Sequence, residues 1–298
     1  MSVFTTSTLA DREVFDRLLS ELRPKLHRYC ARMTGSAVDG EDVVQEALLK
    51  AVEAFPKTGS IAHPERWLFR IAHNAALDFV RRRARRAAVS SDEDPEMIVD
   101  PTTPAEDRLA AAAGLHTFMR LPVVQRSSVI LMDVLGYTLQ EIAEMTDGSV
   151  AAVKSALHRG RVRLRELANE PDDRPAPVLS EPERSRLAAY VDRFNARDFD
   201  AIRGMLAAEV RLEVVTRLRA NGRREVGTYF GNYAIARDWR FAPGLVDRRP
   251  AVLVSDPDDS DAAPAYFILL EWSGDDVLSI RDFRYARYVM SEAHVVYE

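Results

Sequence analysis

The sequence predicts a multidomain chain: two all-α modules followed by an α+β cone. Three observations predict it. Two stretches are rich in proline and poor in apolar residues. Apolar residues before and between them recur every three or four positions, the spacing of a helix face. After the second stretch, strand-like alternation of period two appears. With 298 residues, and roughly 100–200 residues per domain, about two domains are allowed at the least. The boundaries fall at a first helical piece 10–86, an acidic linker 87–105, a second helical piece 106–168, a proline-rich linker 169–182 and a mixed piece 183–298. The first linker has no Lys or Arg but carries Asp92, Glu93, Asp94, Glu96 and Asp100 with three prolines. The second contains Pro171, Pro175, Pro177 and Pro182.

Composition limits the function. Lys+Arg is 41 and Asp+Glu is 46, giving a net charge of −5, so overall charge does not draw the chain to polyanions. Contact with nucleic acid has to come from local basic stripes. The single cysteine, Cys30, excludes an intrachain disulfide framework and a multi-thiolate zinc site, and reads as a small core residue. No catalytic residue, cofactor or metal is expected. Met1 to Arg12 lacks a charged-then-apolar layout, and no apolar run approaches the ~20 residues of a membrane span. A cytoplasmic protein with no membrane contact is the expectation.

In the first piece, Asp39 is placed to cap a helix beginning at Gly40, with Glu41 and Asp42 in its first turn. Val44, Leu48, Ala51 and Phe55 form its buried stripe. The opposite face carries Asp42, Gln45, Glu46, Leu49 and Glu53. That face is either a solvated surface or a dock for a basic partner helix, with Leu49 as its apolar anchor. Pro56 to His63 reads as a loop, and Pro64 opens the next helix. Leu68, Ile71, Ala72, Ala75 and Phe79 form the buried arc of that helix. Arg66, Arg70, Asn74, Arg81 and Arg85 form another, and Arg81, Arg82, Arg83, Arg85 and Arg86 crowd its end. This stripe suits phosphate tracking or simple solubilisation. Trp67 and Phe69 read as core rather than as wedges.

In the second piece, Leu121-Pro122 opens a helix to about Leu135, with Val124, Ser128, Leu131 and Leu135 on one face. Gly136-Tyr137 ends it. Thr138 and Glu141 form a capping box for a short helix with Leu139, Ile142, Ala143 and Met145 inward. Asp147-Gly148 turns, and Ser149 caps a helix to about Leu167. A short helix, a tight turn and a longer helix make a helix-turn-helix, although a plain three-helix bundle shares the pattern. Ser149, Ala151, Ala152, Lys154 and Ser155 lie where base edges are read, and their small side chains let a helix sink into a major groove. Lys154, His158, Arg161 and Arg165 share a neighbouring arc suited to phosphates.

These residues resemble a family. Asp42 to Ala47 and Arg66 to Asp78 look like region 2 of the bacterial extracytoplasmic-function (ECF) sigma factors. Leu121-Pro122 with Gln125-Arg126, Gly136 to Ala143, and Ser149-Val150 through His158-Arg159-Gly160-Arg161 look like region 4. The resemblance implies a transcription-initiation subunit, not an enzyme. It implies that Asp42, Gln45, Glu46 and Leu49 dock on the clamp of the largest polymerase subunit, and that region 4 meets the flap of the second. Arg66, Arg70, Asn74, Arg81 and Arg85, with the loop from Phe55 to His63, would engage the −10 element. Ser149, Ala151, Ala152, Lys154, Ser155, His158, Arg161 and Arg165 would engage the −35 element. The acidic linker would thread toward the RNA channel.

In the third piece, Leu187, Tyr190, Val191 and Phe194 make one helix face, and Asp198 to Ala207 a shorter helix. Val210, Leu212 and Val214 alternate with Arg211 and Glu213. Ala265 to Trp272 and Val277 to Tyr288 read as two long strands around a Ser273–Asp276 turn. Phe194 to Asp200 and Ile280 to Tyr288 resemble a SnoaL-like domain of the nuclear transport factor 2-like superfamily. That implies a built-in regulator, working through a small-molecule ligand or an intramolecular contact. Glu213, Asp238, Asp282 and His294 are its acid/base candidates, each equally readable as a salt-bridge or strand-face residue. Trp239, Phe267, Trp272 and Tyr285 line either a pocket or the core. The alternative for the whole chain is a helix-turn-helix transcription regulator fused to a catalytic or ligand-binding tail.

Overall fold

Contact density divides the chain, in a computed structural model, into two units, Met1–Asp173 and Arg174–Glu298. The structure describes residues 4–58, 61–88, 110, 113–170, 177–235, 239–255 and 263–298. The acidic linker from residue 89 onward, Gly59 and Ser60 of the expected loop, and Asp238 lie outside the described residues.

The first unit is helical: α1 (Phe4–Thr34), α2 (Ala37–Thr58), α3 (Pro64–Ala88), α4 (Leu115–Met119), α5 (Val123–Val129), α6 (Leu139–Thr146) and α7 (Val150–Ala168). The α2 start differs from expectation. Ser36, not Asp39, is the capping side chain: its Oγ accepts from Asp39 N at 3.2 Å, so the helix begins at Ala37. Gly40 then lies inside α2 and allows α1 to approach, since a Cβ there would meet Ala31 backbone atoms at 2.6 Å. At the other end α2 runs past Pro56 to Thr58, into the segment expected to be loop. Val44, Leu48 and Ala51 are buried as predicted, with Phe55 half-buried and stacked on Phe15 at 3.9 Å. Cys30 and Phe69 are fully buried.

The helix after Pro122 is where periodicity misleads. After Val129 it widens into a π turn, Ile130–Val134, with Leu135 N donating to Ile130 O five residues back. The extra residue shifts the helical phase across this turn, and Val124 is exposed instead of sharing the buried face of Ser128 and Leu131. The capping box at Thr138 forms as read, with Glu141 Oε2 accepting from Thr138 N at 2.9 Å. Asp147 takes the left-handed conformation (φ 57°) that ends α6.

The two helical pieces share one core rather than two. Tyr137, just ahead of α6, packs edge-on against Phe69 of α3 at 5.1 Å. Arg126 of α5 is buried and donates to Met33 O at 2.7 Å, satisfying a carbonyl at the C-terminal end of α1. It also donates to Leu121 O at 3.0 Å. Burial pushes the Arg126 guanidinium down to about 10.

The second unit begins with α8 (Glu181–Asn195) and α9 (Phe199–Gly204), which precede β1 (Leu206–Val214) and β2 (Leu218–Asn221). Then come α10 (Arg223–Ile235), β3 (Arg240–Val246), β4 (Arg249–Ser255), β5 (Tyr266–Ser273), β6 (Asp276–Asp282) and β7 (Val295–Tyr297). The α+β expectation holds. The strands form one seven-stranded sheet in the order β2-β1-β6-β5-β4-β3-β7. β1 and β6 pair in parallel and the other neighbours are antiparallel. Leu187, Tyr190, Val191 and Phe194 are buried in the core that α8 shares with the sheet, and Phe194 stacks on Phe241 at 4.1 Å. The helix expected from Asp198 to Ala207 is shorter: Asp198 caps it, but the chain is already extended at Leu206. The second long strand stops at Asp282, and a 3-10 turn, Arg287–Ser291, follows.

Candidate promoter and polymerase interface

The acidic face of α2 presents Asp42, Leu49 and Glu53 to solvent, with Gln45 and Glu46 half-buried. Leu49 is 62% exposed. Glu46 accepts from Lys50 at 2.7 Å and from Arg82 of α3 at 3.0 Å. Burial alone would raise its carboxyl, but these two cations hold it below the ordinary range.

The basic stripe of α3 divides by partner. Arg66 Nη2 donates to Glu141 Oε1 at 3.0 Å, and its Nη1 to Glu144 Oε2 at 2.8 Å. Arg70 lies 3.3 Å from Asp147. All three acids belong to α6 or its C-terminal cap. Beside them, Lys25 Nζ donates to Glu65 Oε1 at 2.8 Å, and the Tyr137 hydroxyl donates to the same carboxylate. The Lys25 ammonium also sits over the Tyr137 ring, 4.1 Å from its centroid. Further along, Arg81 pairs within its own helix with Asp78 at 3.6 Å, and Arg83 donates to Thr34 O at 3.2 Å. Asn74, Arg85 and Arg86 are exposed. Neither Arg85 nor Arg86 has a carboxylate partner among the described residues.

The start of α7 is an open surface. Ser149 Oγ accepts from Ala152 N at 3.1 Å and caps the helix. Ser149, Ala151, Ala152, Lys154 and Ser155 are all exposed. Arg159 is exposed with them, its Nη1 donating to Ser155 Oγ at 2.6 Å. Ala151, Ser155 and Arg159 are spaced by four and centre the exposed arc. Gly160 faces the other way, where a Cβ would meet Val129 Cγ2 at 2.7 Å.

Residues 18–86 match the Sigma-70 region 2 family, and residues 115–164 the Sigma-70, region 4 family. The ECF RNA polymerase sigma factor SigM of Mycobacterium tuberculosis is 34% identical over 157 residues, which are 53% of this chain and 78% of SigM. The chain belongs to the ECF RNA polymerase sigma factors. Among solved structures, the extracytoplasmic function sigma factor SigJ of M. tuberculosis aligns over 90% of this chain and 95% of its own, at 20% identity and TM-score 0.35. An NTF2-like protein of unknown function from Burkholderia xenovorans aligns over 34% of this chain and 80% of its own, at 17% identity and TM-score 0.28. As a sigma factor the chain is a specificity subunit of RNA polymerase, with polymerase and promoter DNA as its partners.

Within the sigma regions the structure corrects two placements. Arg161, expected on the phosphate-facing arc, grips Asp133 through Nε at 3.0 Å and Nη2 at 2.6 Å, and belongs to the packing of α7 on the π turn. Arg66, expected to face the −10 element, is held by the helix-turn-helix. Arg159 went unnoticed in the sequence, although its four-residue step from Ser155 was the available signal. His158 and Arg165 are half-buried. No helix among the described residues is long and apolar enough to cross a membrane, and no metal-ligating cluster appears among them.

The tail's acid/base candidates separate clearly. Glu213 is a strand-face residue bridging Arg219 and Arg281, each at 2.8 Å. His294 is exposed, its backbone N–H donating to Asp247. Asp282 alone is buried beside a cavity. Trp239 and Phe267 are core and Trp272 is half-buried, whereas Tyr285 lines that cavity.

Proposed function

We propose that this sigma factor docks on the polymerase clamp through the Leu49 face of α2, contacts the −10 element through α3 and reads the −35 element through the start of α7. In this reading α7 sits in the major groove through Ala151, Ser155 and Arg159, with Lys154 on a phosphate, and region 4 rests on the polymerase flap. The protein works in the cytoplasm, where polymerase and promoter are. The second unit modulates it.

The observation that carries the mechanism is Arg66, 3.0 Å from Glu141. At ~3.4 Å per base pair, elements at −35 and −10 lie ~85 Å apart along a duplex. Region 2 and region 4 cannot reach both while they share one core and Arg66 neutralises the helix-turn-helix acids. The packed first unit is therefore a resting state, and docking on polymerase has to separate the two regions and release Arg66 and Arg70 to DNA. The clamp, with its binding energy on the Leu49 face, supplies the bias toward the open form.

The test pairs core-polymerase capture with run-off transcription, using the full chain and a chain ended at Pro182. Capture by both, with altered transcription from the shorter one, is the expected result. Absence of capture by either overturns the docking reading. Equal transcription from both removes the tail's modulatory role.

A further inference from the structure

The tail holds a cavity of about 820 Å³ among β1, β2, α10 and the segment after β6. This is within the ~300–1,000 Å³ range of small-molecule sites. Its inner wall is a finished polar node. Asp282 is 1% exposed, and its Oδ2 accepts from the Tyr229 and Tyr233 hydroxyls at 2.7 and 2.8 Å. Its Oδ1 accepts from Arg284 N at 2.8 Å. With three donors already on that carboxylate, the floor has little charge left to offer a cation.

The mouth has a different character. Leu218, Ile235 and Tyr285 are 50%, 84% and 52% exposed, and all three line this cavity. Leu212, Val214 and Ala220 continue the apolar surface inward. Apolar exposure concentrated around one concavity marks a binding site rather than scattered surface residues. Arg217 stands beside it, its guanidinium 4.6 Å from the Tyr285 ring centroid and without a carboxylate partner among the described residues. The neighbouring Arg219 is engaged by Glu213. The turn that presents Arg217 holds Thr216 at φ 73°, a costly conformation for a β-branched residue and one that concentrates at ligand clamps.

We propose that this cavity binds a small amphipathic organic acid, its apolar ring or chain among Leu218, Ile235 and Tyr285 and its anionic group on Arg217. The inference rests on the reading of the tail as the modulatory unit and gives that unit a ligand class. Arg217 is the selective element: a monoanion gains a charge-assisted contact there, and a neutral compound of the same shape does not. A cationic ligand finds no open carboxylate at the mouth, because Glu225 accepts from Asn221 N at 3.1 Å.

The test uses the full chain and two fluorescent probes of similar shape, the anionic 1-anilinonaphthalene-8-sulfonate and the neutral N-phenyl-1-naphthylamine. The anionic probe is expected to bind saturably. Arg217→Ala weakens the anionic probe about tenfold, equivalent to about 1.4 kcal/mol, and leaves the neutral one unchanged. Ile235→Asp weakens both, and Arg240→Ala, outside the cavity, changes neither. Circular dichroism melts confirm that each variant is folded. Non-saturable binding, or equal anionic-probe affinity in Arg217→Ala and wild type, overturns the proposal. Run-off transcription from the chain ended at Pro182 is read separately. If truncation changes nothing while the probe pattern holds, the modulatory reading fails and the ligand site stands.

Discussion

Arg161 and Asp133 form a two-pronged ion pair, with the carboxylate side chain fully buried and the guanidinium side chain 20% exposed. The pair locks α7 onto the π turn, and α7 is thereby oriented so that Arg159 and Ser155, not Arg161, face outward.

Two substitutions separate these roles. Arg161→Ala strands a buried carboxylate and is expected to cost about 3–5 kcal/mol in urea unfolding of the first unit. Arg159→Ala and Lys154→Ala are expected to leave unfolding unchanged. Each lowers affinity for −35 duplex and reduces the salt slope by about 1, measured by anisotropy across salt concentrations. A folded Arg161→Ala protein of unchanged stability would contradict the assignment.

Glu144→Lys places a cation opposite Arg66 without touching the capping box. The packed first unit should open more readily. Fluorescence transfer between dyes on α3 and α7 is expected to fall, and the variant should gain −10 strand affinity in the absence of polymerase. Unchanged transfer would show that the apolar core alone holds the regions together.

Leu49→Asp tests the docking face. Leu49 is exposed and outside the core, so melting should shift by less than ~0.5 kcal/mol equivalent. Capture of core polymerase should drop at least tenfold. Retained capture places the dock elsewhere.

His73 sets an acid limit. Burial, with the Arg81 charge adding to it, pushes its imidazole down to about 4, and Tyr29 OH lies 2.7 Å from its Nδ1. The unfolded chain takes this proton near pH 6.5, whereas the folded chain refuses it until about pH 4. Stability contributed by the neutral ring is thus full above pH 6.5 and falls as pH drops toward 4, by about 3 kcal/mol in all. His73→Gln, which can still accept from Tyr29, should lose that part of the slope in urea titrations at pH 4.5 and 7.

The sequence carried the features that local chemistry decides. The Thr138 and Ser149 caps, the α2 stripe around Val44 and the alternation of β1 depend on neighbours within a few residues. The π turn at Ile130 was hidden because an added residue in one turn leaves composition unchanged and only shifts phase. The bonds of Arg66 to Glu141 and of Arg161 to Asp133 join residues 75 and 28 positions apart. An arginine's spacing shows which face it occupies, not which acid from another helix will meet it. In the tail, β4 is a continuous buried run, Ala251 to Val254, without period-two alternation, and Pro243-Gly244 disguises β3. The cavity was legible only as separate candidates, Asp282 and Tyr285. Their meeting depends on sheet order.

The parallel pairing of β1 with β6 has a consequence in time. The strand that starts the tail's sheet waits for a partner about seventy positions later, as the register Leu212 to Ile280 shows. A ribosome moving at ~5–20 residues per second needs on the order of ten seconds to travel from the end of α7 to β6. During that interval the promoter-reading half is already outside the exit tunnel while its companion is still a nascent, sheetless chain. Each newly made molecule therefore passes through a brief period in which it is unsupervised.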